Sequence, residues 1–93
     1  MTMHSTKSPK VYVPVTVFFT EAGQMRPRIL EWEDGCKYRI DRVKDIRPTY
    51  AERAGGQGDR YTIIVNGRES FIFFEHNPEY GHQDVGRWFV ERR

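Results

Sequence analysis

The 93-residue sequence holds a single cysteine, Cys36, so it has no internal disulfide and packing alone must hold the fold. It also lacks any apolar run near the roughly 18 to 20 residues of a membrane-spanning helix. Residues 1–10 have no hydrophobic stretch of the kind found in a secretory leader. These absences lead us to expect a cytoplasmic protein with no membrane partner. Charge of one sign is not in excess either: 15 Lys and Arg against 13 Asp and Glu leave +2. That is far below what would hold a domain to polyanions by charge alone.

Catalytic and metal-binding signatures are missing too. Gly55-Gly-Gln-Gly58 invites a phosphate-loop reading, but no Gly-Lys-Ser/Thr and no helix follow it, so a flexible turn is expected. His76 and His82, with Glu75, Glu79 and Asp84 nearby, match no ligand spacing and read as surface histidines. No motif marks a serine or Cys36 as an activated nucleophile, and Cys36 reads as a small apolar filler. Asp41, Asp45 and Glu75 have no spacing that singles them out as an acid–base set. The expectation is a non-enzyme with no cofactor and no metal.

What the chain does have is large aromatic side chains: six Phe, five Tyr and two Trp, enough bulk to fill one small core. Residues 1–10 are polar and read as an arm, and 11–93 as one domain. Val11, Val13, Val15, Val17 and Phe19 form one alternating apolar face, mostly of β-branched valines, with Pro14 at an edge or a bulge. Glu21–Gln24 reads as a turn, Arg28–Trp32 as the returning strand, and Glu33-Asp-Gly35 as a second turn. Cys36–Arg47 begins with strand alternation at Tyr38 and Ile40, then spaces Val43 and Ile46 by three. That spacing means either a bulge in a bent strand or a helical turn. No helix cap precedes the segment and Pro48 ends it, so the bent strand is favoured.

The glycine-rich stretch 48–59 reads as a loop. Tyr61–Val65 and Glu69–Phe74 read as strands joined by Asn66-Gly67, the strongest hairpin signal in the chain. Residues 77–84 read as a loop and Val85–Glu91 as the closing strand. About six strands and no amphipathic helix define an all-β fold: a strongly bent antiparallel sheet or small barrel, SH3-like or OB-like. An α+β arrangement is the alternative if 41–47 or 49–54 is helical. The expected core is Val13, Val15, Val17, Leu30, Trp32, Tyr38, Ile40, Ile63, Val65, Phe74, Trp88 and Val90.

Two sets of side chains suggest function. Arg39, Arg42, Lys44 and Arg47 crowd one bent strand, where they could follow a phosphate backbone. Arg26 and Arg28 precede them, and Arg87, Arg92 and Arg93 lie near the end of the chain. Alternation turns Tyr12, Phe18, Phe71, Phe73 and Phe89 away from the expected core. Of these, Phe18, Phe71 and Phe73 are candidates for stacking on bases or for covering by a partner. The expected function is a binding module that favours nucleic acid, with a protein partner or self-association as the alternative.

Three strings, Tyr38-Arg-Ile-Asp-Arg-Val-Lys-Asp-Ile-Arg-Pro48, Gly55-Gly-Gln-Gly-Asp-Arg-Tyr-Thr62 and Gly86-Arg-Trp-Phe-Val-Glu91, resemble short uncharacterised bacterial all-β domains across most of the chain. The resemblance implies a small β fold with Gly86–Glu91 as a closing core strand. It implies no activity, cofactor or catalytic residue.

Overall fold

The computed structural model describes residues 10–51, 56–76 and 85–91. They form eight strands: β1 (Lys10–Tyr12), β2 (Val15–Phe19), β3 (Met25–Glu31), β4 (Lys37–Arg39), β5 (Arg42–Ala51), β6 (Gly56–Val65), β7 (Arg68–His76) and β8 (Arg87–Glu91). No helix occurs among the described residues. All pairing is antiparallel, in a five-stranded sheet of order β1-β8-β7-β6-β5 and a three-stranded sheet of order β2-β3-β4.

The all-β, antiparallel expectation holds, with eight strands in place of about six and two sheets in place of a closed barrel. Both extra strands arise where the chain crosses between sheets. Val13 N–H donates to the Trp88 carbonyl at 3.0 Å, whereas the next residue, Pro14, accepts from Glu31 N–H at 3.0 Å. Ile40 N–H donates to Arg28 O at 2.8 Å, and Asp41 N–H donates to Ile64 O at 2.8 Å. At each crossing two consecutive residues bond to different sheets, which splits one expected strand into two.

The spacing of three at Val43 and Ile46 is a bulge, as the bent-strand reading requires. The register steps from Val43↔Ile63 to Asp45↔Thr62, leaving Lys44 as the extra residue. Pro48 does not end the strand. It pairs with Asp59 on an edge strand, where a missing N–H is tolerated because only alternate amides face the neighbour. The expected loop at 48–59 is therefore largely an extended β5–β6 hairpin, with Thr49↔Gly58 and Ala51↔Gly56 in register. Residues 52–55 lie outside the described residues.

Gly58 serves packing and is not part of a flexible turn. A Cβ there would run into the main-chain carbonyl of Phe74 on β7. The β6–β7 connection follows the sequence reading: Asn66 at φ 53° and Gly67 at φ 77° make a two-residue turn that requires positive φ at both positions.

The core lies between the sheets. Leu30 and Ile40 come from one side, and Tyr61, Ile63, Ile72, Phe74 and Trp88 from the other. The Trp88 ring lies 5.0 Å from Tyr61 and 4.9 Å from Phe74. Val13 is also buried. Val15, Val17, Trp32, Tyr38, Val65 and Val90 are partly buried against the core. Cys36 is exposed rather than filling the core. It sits in the β3–β4 turn, its N–H bonded to Asp34 Oδ1 at 2.9 Å, and the thiol's hydrogen bond to Asp34 pushes its pKa up.

Candidate functional site

In antiparallel sheets, residues directly opposite one another point to the same face. Tyr61, Ile63, Ile72, Phe74 and Trp88 turn inward, so their neighbours define the outer face of the five-stranded sheet. One row crosses all five strands: Tyr12 on β1, Phe89 on β8, Phe73 on β7, Arg60 on β6 and Arg47 on β5. The next row is Phe71, Thr62 and Asp45, followed by Glu69, Ile64 and Arg42. Lys44, at the bulge, lies 3.6 Å from Glu69 on this face.

The structure thus brings together Arg42, Lys44, Arg47, Phe71 and Phe73 of the sequence-predicted set. All three basic residues are exposed. Arg39 and Phe18 are placed elsewhere, on β4 and β2 of the other sheet, opposite Ile29 and Arg26. Arg39 left the set because the chain changes sheets between it and Arg42. Phe18 is 49% exposed beneath the guanidinium of Arg28, 4.8 Å from its ring centre.

The β1–β8–β7 end of the outer face is closed by its own side chains. Phe73 stacks on Phe89 with centroids 4.9 Å apart, and Tyr12 meets Phe89 edge-on at 5.7 Å. Phe89 is only 6% exposed as a result, although alternation alone turns it outward. Glu75 anchors this corner, accepting hydrogen bonds from Lys10 Nζ at 2.7 Å and the Tyr12 hydroxyl at 2.9 Å, with Arg87 3.7 Å away. Burial, then the bond to Glu75, raises the Tyr12 phenol above its ordinary value. Phe73 and Phe89 are covered within the chain, so Phe73 gives no reason to invoke a second copy.

The β6–β5 end is more open. Phe71 is 39% exposed, with the Arg60 guanidinium 4.8 Å from its ring centre. Arg60 Nε is buried and has no acceptor among the described residues. The register sets this arginine directly opposite Arg47, two like charges on neighbouring strands. Asp45 offsets part of that repulsion by accepting from Arg47 Nε at 2.7 Å. The arrangement is a pair of arginines opposite one another on neighbouring strands, near an accessible aromatic ring, which suits an anion next to a flat apolar group.

Sequence reasoning missed Arg60. The signal was there: the Asn66-Gly67 turn sets Val65 opposite Arg68, and counting back along both strands sets Arg60 opposite Phe73.

Among the described residues no group of three His, Cys, Asp or Glu could hold a metal ion. His82, Glu79 and Asp84 of the rejected metal set lie outside the described residues. No described helix is long and apolar enough to cross a membrane. No family model, curated protein or solved structure matches the chain.

Proposed function

We propose that the outer face of the five-stranded sheet is a non-catalytic platform for single-stranded nucleic acid. The observation that carries this reading is the Arg47–Arg60 cross-strand pair beside the accessible ring of Phe71. A phosphate between the two guanidinium groups would relieve their repulsion, with Arg42 and Lys44 further along β5 to receive its neighbours. An unstacked base could lie on Phe71, an interaction worth about 1 to 3 kcal/mol per base and tolerant of sequence. A single strand fits better than a duplex because stacking on a side chain needs bases free of their partners.

Fluorescence anisotropy of a labelled oligonucleotide tests the reading. Three or four neutralised phosphates should give a log–log salt slope of roughly −2 to −3 for a single strand. With a net charge of +2, affinity should fall near the non-specific range, about 10⁻⁴ to 10⁻⁶ M. Replacing Arg42 and Arg47 together by Glu should abolish binding and leave the melting temperature nearly unchanged, since both are exposed. Binding indifferent to salt and to the double substitution, or no binding in low salt, would sink the proposal.

A second reading, self-association, rests on a different surface. β2 is an edge strand of sequence Val-Thr-Val-Phe-Phe with no charged residue, and Phe18 and Phe19 are 49% and 60% exposed. β5, the long edge of the other sheet, carries Pro48, a bulge and several charges, all of which discourage strand addition. Sedimentation at micromolar protein should then show a dimer that Phe18→Lys disrupts. A monomer at every concentration would eliminate this alternative.

A further inference from the structure

A cleft of about 260 Å³ opens between residues of the two sheets, by the β3–β4 turn and the C-terminal ends of β6 and β8. It is lined by Leu30 and Ile63 of the core and by Trp32, Tyr38 and Phe71, from three different strands or turns. Glu91, the last residue of β8, also lines it. Glu91 is exposed and enters none of the ion pairs among the described residues, in a chain with more basic than acidic groups.

The chemistry of this lining is selective. Aromatic faces carry negative electrostatic potential and attract a cation, most strongly one whose charge is spread over alkyl groups and is weakly hydrated. The apolar lining favours the alkyl groups and disfavours a strongly hydrated ion such as ammonium or sodium. A carboxylate at the rim, in no ion pair among the described residues, supplies the complementary charge. An anion would meet the aromatic faces and the Glu91 carboxylate unfavourably.

We infer that this cleft binds a small alkylammonium group of the quaternary type, with Trp32 and Tyr38 as cage walls and Glu91 as the counter-charge. The volume suits one headgroup on a free small molecule rather than a folded partner. The site adjoins the nucleic-acid platform: Phe71 belongs to both, and Glu91, two residues beyond Phe89 on β8, lies at their shared margin.

Choline and its uncharged isostere 3,3-dimethylbutan-1-ol make the test, followed through the Trp32 indole N–H and backbone amides of the intact protein by NMR. Choline should give saturable shifts at Trp32 and Tyr38, and the isostere should bind about tenfold more weakly. Glu91→Gln, at an exposed position, should weaken choline several-fold without changing the melting temperature or oligonucleotide binding. Trp32→Leu should remove choline binding; its amide spectrum, if dispersed, shows that the fold survives. Equal affinity for choline and the isostere would show a plain apolar cleft and overturn the proposal, as would no saturable shift. Tighter binding of a trimethyl-lysine peptide than of free choline would overturn the free small molecule as occupant.

Discussion

Lys10 Nζ lies 2.7 Å from Glu75 Oε2, and the two side chains are only 13% and 12% exposed. This contact fastens the first described residue of the chain to β7, two strands away across β8. Glu75→Ala takes away the carboxylate 2.7 Å from the largely buried Lys10 ammonium. It should destabilise by roughly 3 kcal/mol, because breaking a largely buried ion pair costs more than the intact pair contributes. Lys10→Met combined with Glu75→Ala should recover part of that loss. Urea denaturation of these two variants and of Lys10→Met alone measures the cycle, and additive losses would show that the pair is not coupled.

Gly58 tolerates no side chain. A Cβ there would collide with the Phe74 carbonyl, which cannot move without breaking the β6–β7 ladder. Gly58→Ala should therefore lower stability by several kcal/mol, on the scale of the larger single-residue effects. Gly67→Ala meets no atoms but suffers strain at φ 77°, so it should cost about 1 kcal/mol. If thermal denaturation ranked the two in reverse order, the placement of β6 against β7 would be wrong.

Trp88 packs between Tyr61 and Phe74 and is 7% exposed. Trp88→Ala should cost on the order of 3 to 5 kcal/mol, because the space it leaves in so small a core cannot collapse fully. An unchanged cooperative transition would show that β8 does not close the core.

Burial is the main cause of a raised pKa at the Tyr61 phenol, with the Asp59 carboxylate adding to it and Arg26 opposing it. A folded-state value above the unfolded value of 10.0 means that the stability linked to the neutral phenol is complete below pH 10. That stability is lost as pH rises through the folded value. Ultraviolet titration of the folded protein should show tyrosines ionising late, and Tyr61→Phe should remove one of them. The variant should also lose less stability than wild type when the pH is taken above 10. Ionisation of Tyr61 in step with free tyrosine would contradict its placement in the core.

How much of this was legible varied with the range of the interaction involved. Alternation at Tyr61, Ile63 and Val65 and the Asn66-Gly67 turn showed the β6–β7 hairpin, because turn chemistry sets the register of both strands. The half of the β5–β6 hairpin beyond Arg47 looks like a loop in the sequence. It extends past the core and is held by backbone pairing, so no apolar alternation marks it. The outward direction of Phe89 was readable, but its burial was not. Burial needed Tyr12 and Phe73 from strands far away in sequence to cover the ring.

The candidate platform divides in the same way. Phe71 and Phe73 were recognisable as outward-facing from the sequence, because side chains along a strand point alternately to its two faces, whereas Arg42, Lys44 and Arg47 stood out only as basic residues crowded on one strand. The all-β class was recognisable too, because β-branched and aromatic alternation with tight turns leaves no amphipathic helix to form. Which of these residues share a surface was decided only by tertiary structure. The crossing at Ile40–Asp41 carries Arg39 to the other sheet, and the bulge at Lys44 sets Arg47 opposite Arg60. The crossing depends on backbone hydrogen bonds to Arg28 and Ile64, distant in the chain and the same for any sequence, so no local pattern of residues encodes it. The spacing of Val43 and Ile46 marks the bulge, but the partner it gives Arg47 is set by the register of the whole β5–β6 hairpin.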